Sequence, residues 1–272
     1  MAIITISRGT LSGGKMLAKM LCERLGYECV SREIIIKAAD DYAVPEGKLF
    51  EAIQKNPNIF QKLTFERERY LAYIQASLCE YAVKDNIVYH GHAGHFLLRG
   101  VAHVLRIRIV ADLSYRIKVA MEQLNMTEKE AEKYLEKVDS ERIKWTKFLY
   151  GKDWRSPDLY DLVFNLERLD LECVCDIVQC AVSLPQFKAT PESKKAMYDL
   201  LIKSRVRAAL ARISKIRLEK LEIEADDGKV VISGRTKSEE ISKEVSDIIS
   251  KIPGVVSVEN KVELDYRNFQ IE

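Results

Sequence analysis

Short apolar runs alternate with helical periodicity along the first two thirds of the chain. Residues 2–6 are β-branched and apolar enough for a buried strand, and apolar side chains then recur at helical spacing from Leu17 to Leu25, where Gly26 ends the helix. Further strands are predicted over residues 27–30, 86–90, 102–110 and 159–165, with helices between them. Strands that alternate with helices predict an α/β fold, in which helices cover both faces of a parallel sheet.

The pattern changes near residue 184. Residues 184–193 hold two prolines and small polar side chains, which is typical of a linker. Beyond them, a long amphipathic helix precedes two alternating strands joined by Asp226-Asp227-Gly228, a strong hairpin signal. A further helix and a last strand over residues 255–264 complete a smaller α+β domain of order αββαβ. We therefore predict a first domain over residues 1–183, a linker over 184–193, a second domain over 194–266 and a tail over 267–272.

Composition narrows the class of protein. Of the 272 residues, 47% are hydrophobic and 31% charged, as in globular proteins. Lys and Arg number 43 against 41 Asp and Glu, and no basic stretch is interleaved with aromatic residues, so we expect no nucleic-acid partner. No apolar run approaches the roughly 20 residues that cross a bilayer, and the N-terminus lacks signal-peptide features. We therefore expect no transmembrane segment and a cytoplasmic location.

Cysteines and histidines offer two weak metal sites. The six cysteines include no CxxC pair, and in a reducing compartment we expect them to be small buried hydrophobes. Cys173, Cys175 and Cys180 fall on a predicted helix, which disfavours a metal site there. The second set lies at the end of the third predicted strand and consists of His90, His92 and His95. No adjacent carboxylate completes a ligand shell there. The metal ligands stay unassigned.

The main chemical motif lies between the first strand and the first helix. Gly9, four intervening residues, Gly14 and Lys15 have the spacing of a phosphate-binding loop. Glycines let the backbone approach phosphate oxygens, amides at the helix start face the anion, and the lysine adds positive charge. The alternative is an ordinary glycine-rich turn, which seldom places a lysine so well. The predicted nucleotide-binding residues are Gly9, Ser12, Gly13, Gly14, Lys15 and Met16.

The first domain resembles the cytidylate kinase-like family of P-loop nucleoside monophosphate kinases. The resemblance covers most of residues 1–182 and rests on residues 4–15, the basic helix over 139–148, and the segments 150–154 and 158–165. It implies a three-layer αβα P-loop fold, ATP and Mg²⁺ as cofactors, and transfer of the ATP γ-phosphoryl to a nucleoside monophosphate, cytidylate by family. Residues 45–83 take the place of the segment that closes over the phosphate acceptor, or are simply two packed helices.

Basic residues complete the predicted site. Those at the helix that resembles the family's lid are expected to close over the transferring phosphoryl, and the alternative is a solvated face balanced by Glu136, Asp139 and Glu141. The predicted catalytic residues are Lys15, Arg142, Lys144 and Lys147. The predicted substrate-binding residues are Arg8, His92 and Arg116.

Three departures from the family pattern favour a rival function. Met16 replaces the hydroxyl that normally ligates magnesium, Ser31 stands where relatives commonly carry an acidic residue, and His92 replaces an arginine. Nucleoside monophosphate kinase activity is our first hypothesis. The rival is a catalytically impaired, nucleotide-responsive binding protein.

The second domain resembles a BON domain over roughly residues 195–266. The matching pieces are residues 227–234, the helix after Thr236 and residues 252–260. Such domains are associated with membrane or ligand binding. Without an export signal we favour a module for ligand sensing, self-association or docking, which leaves a protein partner, a small ligand and a homo-oligomer open.

Overall fold

Strands and helices alternate along the first part of the chain, as predicted. The computed structural model describes residues 2–54, 61–213, 216–236 and 239–264. The strands are β1 Ile3–Arg8, β2 Glu28–Val30, β3 Ile87–Tyr89, β4 Val104–Val110, β5 Leu162–Asn165, β6 Leu221–Asp226, β7 Lys229–Thr236 and β8 Ser257–Leu264. The helices are α1 Gly14–Leu25, α2 Glu33–Tyr42, α3 Glu46–Gln54, α4 Gln61–Ala82, α5 Gly94–Leu97, α6 Leu113–Leu124, α7 Glu128–Tyr150, α8 Leu171–Ser183, α9 Pro191–Ala211 and α10 Glu239–Ser250.

Contacts divide the chain into two units. The first holds the chain up to Ile34 and from Lys84 to Ser193. The second holds Ile35–Ala52, the helix that ends at Ala82, and the chain from Lys194 onward. Residues that precede β3 in sequence therefore group with the C-terminal part. The predicted domain boundaries remain a prediction.

A five-stranded parallel sheet organises the first unit. Its order is β2-β3-β1-β4-β5, and β1 pairs with both β3 and β4 through Ile3, which lies opposite Ile87 and Val104. Because the strands are parallel, the carboxyl ends of β1, β4 and β5 lie side by side at one edge. The predicted α/β fold is confirmed.

The core of the first unit lies between the sheet and the helices α1 and α8. Ile4, Ile6 and Ile107 of the strands pack in one cluster with Leu17 of α1 and Val178 of α8. Each such side chain contributes about 1.5–3 kcal/mol when it is fully buried. This packing holds α1 rigidly behind the loop that precedes it.

Helix ends in the first unit follow the sequence signals. Gly26 ends α1 and Gly151 ends α7, both with left-handed backbone at φ 67° and 65°. At the start of α7, the Glu130 carboxylate accepts from the Thr127 amide at 2.8 Å, as part of a capping box whose Thr-x-x-Glu pattern is visible in the sequence. The helix then continues without a break to Tyr150.

A three-stranded sheet forms the C-terminal part of the second unit. β6 and β7 are antiparallel, β8 is parallel to β7, and α10 packs against β8. Asp227 and Gly228 take φ values of 47° and 78°, as the predicted Asp-Gly hairpin requires. A Cβ at Gly228 would lie 2.6 Å from the Gly254 carbonyl oxygen, so this turn also needs glycine for space. The elements α9-β6-β7-α10-β8 confirm the αββαβ order.

The same unit includes the helices that precede β3. Tyr42 and Tyr73 stack with ring centroids 4.2 Å apart. Arg205 of α9 donates from Nε to the Glu80 carboxylate of α4 at 2.6 Å and from Nη1 to the Pro253 carbonyl at 3.0 Å. Among the helices of the described part, none has the length and apolar composition of a membrane span.

Candidate functional site

The loop between β1 and α1 has the backbone shape of an anion-binding turn. Leu11 and Gly13 have positive φ values of 59° and 83°, and Gly13 is the N-cap of α1. The amide of Met16 donates to the Gly13 carbonyl at 3.0 Å, so the earlier amides of Gly14 and Lys15 have no acceptor within the helix. Two backbone donors and the positive end of the helix dipole therefore meet at the loop.

The two glycines of the motif make room for arginine side chains. A Cβ at Gly14 would lie 2.2 Å from Cδ of Arg8, an approach that no side chain allows without moving Arg8. A Cβ at Gly9 would lie 3.3 Å from Cζ of Arg116. The spacing that sequence analysis attributed to phosphate alone therefore also serves two guanidinium groups.

The other functional residues of the loop differ in their exposure to solvent. Ser12 is buried, and its hydroxyl donates to the Gly9 carbonyl at 2.9 Å, which closes the turn. Lys15 and Met16 are exposed in the first turn of α1. Met16 carries a thioether at the position where a magnesium-binding hydroxyl normally stands.

Helices α6 and α7 each place one arginine side chain against this loop. Arg116 donates from Nε to the Thr10 carbonyl at 2.7 Å and pairs from Nη2 with Asp139 at 2.8 Å. Arg142 donates from Nη1 to the carbonyl of Arg8 at the end of β1. The guanidiniums of Arg8, Arg116 and Arg142 thus lie at one loop, and their predicted roles in substrate binding and catalysis stay predictions.

The two lysines predicted alongside Arg142 lie elsewhere on α7. Lys144 and Lys147 are exposed, and the Lys147 ammonium is 3.9 Å from the Asp153 carboxylate. In the contacts of the described residues, neither lysine reaches the loop. Their catalytic part stays a prediction.

Burial and like charges set the protonation of the site. Burial lowers the pKa of Arg8. Burial also lowers the pKa of Arg142 to about 10, and the positive charge of Arg8 adds to this decrease while the carboxylate of Asp139 opposes it. Burial and the charges of Arg142 and Arg8 lower the pKa of His92 to about 3. At neutral pH the guanidiniums are charged and the imidazole is neutral. The local charge is positive, as an anion site requires.

Sequence analysis missed a carboxylate at the end of β2. The Ser31 amide donates to Oε2 of Glu33 at 2.7 Å. The charge of Glu33 also opposes the lowering of the His90 pKa by burial and Arg8. An acidic group therefore lies beside Ser31 although residue 31 itself is not acidic.

A cleft of about 410 Å³ opens beside the phosphate loop and was also missed. Its lining runs from Gly13 to the first two turns of α6, where Tyr115 and Lys118 lie, and to Leu166 and Leu169 after β5. The signal was available in principle, since residues that follow β1, β4 and β5 meet at one sheet edge. It needs the strand order, which periodicity does not supply.

The metal alternatives gain no support from the described residues. Among them, no three His, Cys, Asp or Glu side chains lie close enough to hold a metal ion. The expectation that the cysteines are buried is wrong for Cys29, Cys173 and Cys180, which are exposed. Cys173 and Cys180 lie on the solvent side of α8, whereas Cys175 faces the core.

Solved structures resemble about two thirds of this chain. A crystal structure of an uncharacterized protein from Eubacterium ventriosum ATCC 27560 matches with a TM-score of 0.51 at 20% identity, over 67% of this chain and 98% of that chain. Shikimate kinase from Bacteroides thetaiotaomicron matches with a TM-score of 0.43 at 14% identity, over 67% and 99%. Dephospho-CoA kinase from Campylobacter jejuni gives 0.35 at 17% identity, over 66% and 96%. At 20% identity the first likeness shows only the fold, and the two lower TM-scores support no conclusion.

Comparison with sequence families gives a more specific result than comparison with solved structures. No curated protein sequence matches the chain. Residues 198–266 match the BON domain, and this confirms the resemblance of the C-terminal part. Residues 3–168 match the model of the cytidylate kinase-like family, and because this match takes in more than half of the sequence, together with the phosphate loop and both arginine-bearing helices, the chain belongs to that family.

Proposed function

We propose that this chain is an ATP-dependent nucleoside monophosphate kinase, with cytidylate as the acceptor that its family suggests. The observation that carries the proposal is the convergence of Arg8, Arg116 and Arg142 on the loop that precedes α1. Phosphoryl transfer needs positive charge and alignment around the moving group, and little covalent chemistry. Three guanidiniums and Lys15 supply that charge.

Each part of ATP has residues suited to it. The amides of Gly14 and Lys15, with the Lys15 ammonium, would hold the β and γ phosphates. Arg142 would neutralise the transferring group, since its guanidinium already lies at the end of β1. The base would enter the cleft beside Tyr115, because that cleft begins at Gly13 of the same loop.

The position that follows the motif lysine offers no oxygen ligand for magnesium, since Met16 carries a thioether. The two hydroxyl oxygens of the loop are buried: Ser12 donates its proton to the Gly9 carbonyl, and Thr10 has no hydrogen-bond partner among the described residues. The position usually filled by a hydroxyl therefore does not fit a protein-bound magnesium ion. We propose that Mg²⁺ enters with the phosphates of ATP, and we derive no step from a protein–metal bond.

The rival function is nucleotide-dependent binding without turnover. The exposed thioether of Met16 and the neutral imidazole of His92 favour it, because each replaces a group that would stabilise transferred charge. This function predicts that ATP raises the melting temperature while no acceptor is phosphorylated.

A coupled assay with ATP, Mg²⁺ and each nucleoside monophosphate tests the kinase proposal. We expect turnover with at least one acceptor, and we expect Lys15→Ala to lower kcat/KM by about 100-fold, as for loss of one charge-stabilising donor. Lys19→Ala is the matched control, since Lys19 is exposed one turn later on α1 and pairs only weakly with Glu23 at 3.8 Å. Absence of turnover together with ATP-induced stabilisation would support the rival instead.

For the BON domain we propose a docking or ligand-sensing function. The support is the family match over residues 198–266. Light scattering of the full chain with and without ATP measures whether nucleotide changes self-association. An unchanged mass leaves a separate protein partner or small ligand as the target, which affinity capture with Lys15→Ala as the comparison would then identify.

A further inference from the structure

Trp154 lies against two arginines, one of which reaches the phosphate loop. Its side chain is only 2% exposed. Cζ of Arg108 lies 4.5 Å from the centroid of the indole ring, and Cζ of Arg142 lies 5.0 Å from it. Both distances are within the range in which a guanidinium is attracted to an aromatic face.

The backbone of Trp154 is fixed independently of its ring. Its amide donates to the Thr146 hydroxyl at 3.3 Å, and its carbonyl accepts from Arg108 at 2.9 Å and from the Tyr160 hydroxyl at 2.6 Å. Thr146 in turn donates to the Arg142 carbonyl at 3.1 Å. The indole is thus held beside the helix turn that carries Arg142.

The environment of Arg142 keeps its charge available. In the described contacts, its partners are the carbonyl of Arg8 and the indole of Trp154, whereas the nearby Asp139 pairs with Arg116. A carbonyl and a π face orient a guanidinium without neutralising it, unlike a carboxylate. An incoming phosphate then meets an oriented cation whose direct contacts, among the described residues, include no carboxylate.

We propose that Trp154 is a positioning residue, which holds Arg142 at the phosphate loop in a charged and unneutralised state. The proposal rests on the proposed function in one respect, that Arg142 contacts a phosphate of ATP. Arg108 is the second, buried cation on the same indole, and it fixes the ring through the Trp154 carbonyl. Trp154 itself touches no reacting atom.

Substitution of the ring tests this directly, because the hydrogen bonds at residue 154 use its backbone. We expect Trp154→Leu to lower kcat/KM for ATP about tenfold, in line with loss of a desolvated cation–π contact. Trp154→Phe keeps an aromatic face and should stay within about threefold of the parent. Trp145→Phe is the control, since Trp145 is equally buried but its ring meets Tyr150 at 5.8 Å.

A double-mutant cycle separates positioning from general packing. If Trp154 acts through Arg142, the pair Trp154→Leu with Arg142→Ala loses no more activity than Arg142→Ala alone, to within about twofold. Losses that multiply would overturn the proposal. Circular dichroism and melting curves establish whether each variant is folded. If Trp154→Leu does not fold, Trp154→Phe takes its place in the comparison with Arg142→Ala.

Fluorescence gives a readout that does not need turnover. The chain has two tryptophans, so Trp145→Phe leaves Trp154 as the only tryptophan, and its emission is excited selectively over that of the tyrosines. In that background Arg142→Met should shift the emission of Trp154, and ATP should shift it only while Arg142 is present. Unchanged emission on Arg142→Met refutes the contact. If Arg142→Met shifts the emission but ATP neither binds nor shifts the emission of Trp145→Phe, which keeps Arg142, the proposed function is refuted and the contact stands.

Discussion

Gly14 shows how one absent side chain shapes the phosphate site. Its missing Cβ leaves room for the Arg8 side chain, whose Cδ would otherwise lie 2.2 Å away and whose Cβ would lie 3.0 Å away. Because the closest approach includes the stem of Arg8, the strain has no relief unless that whole side chain moves. The glycine therefore decides where one positive charge of the site lies.

We predict that Gly14→Ala weakens ATP binding. The added methyl displaces Arg8, and loss of one charge-assisted contact reduces affinity about tenfold, with a loss of about 1–3 kcal/mol in unfolding free energy from overpacking. Calorimetric titration with ATP and urea unfolding measure the two effects. Gly47→Ala is the matched control, since a Cβ there meets nothing within 4 Å. Equal ATP affinity in the two variants would contradict the prediction.

His95 makes a pH-dependent contribution to stability. Burial, with the charges of Arg106 and Arg108, lowers its pKa from 6.5 to about 3. Between these values the unfolded chain binds a proton that the folded chain does not, so the contribution is complete above about pH 6.5 and is lost as the pH falls toward 3.

We predict that His95→Gln flattens this dependence. The slope of unfolding free energy against pH between pH 4.5 and 6 should fall by up to about 1.4 kcal/mol per pH unit, the value for one proton. Urea unfolding at several pH values measures the slopes of parent and variant. The difference in slope is the readout, because the substitution also changes stability at every pH; identical slopes would show that His95 takes up its proton in the folded state.

At the scale of elements, local signals predicted most boundaries in the first unit. Gly26 and the Thr127 capping box act through a few neighbouring atoms, and the helices α1 and α7 end and begin where those residues indicate. α9 begins at Pro191, three residues before its predicted start. Proline suits the first turn of a helix, and Thr190 and Ser193 exchange capping hydrogen bonds there, so the proline that indicated a linker begins a helix.

Other features of the site depend on strand order and distant contacts. The cleft beside Gly13 and the pairing of Arg116 with Asp139 both join segments far apart in sequence. α5 is a single turn, too short to show a periodicity. The phosphate loop was predictable because its chemistry is local. The arginines around it were predicted only through the family resemblance, and only the structure separates them from Lys144 and Lys147, which lie elsewhere on α7.

At the scale of the whole molecule, the C-terminal domain shares its unit with helices from the middle of the chain. Arg205 joins three segments of that unit, since it binds both Glu80 of α4 and the carbonyl of Pro253. Ser204 lies next to it, and its side chain lies beside the buried Cys79 thiol of α4. Sequence order places α4 between β2 and β3, so this contact ties the C-terminal domain to a helix that lies within the first predicted domain in sequence.

We predict that Arg205→Ala loosens α4 and α9 together. Loss of hydrogen bonds to a half-buried charged group should lower the stability of the second unit by about 1.5–3 kcal/mol. Hydrogen exchange measured on peptides should then become faster over residues 66–82 of α4 and over α9, and stay unchanged in α1 and α8 of the first unit. Lys203→Ala is the matched control, since Lys203 is exposed on the same helix. If exchange quickens in α9 while α4 keeps its protection, the arginine stabilises the C-terminal domain alone and α4 is held by its apolar packing.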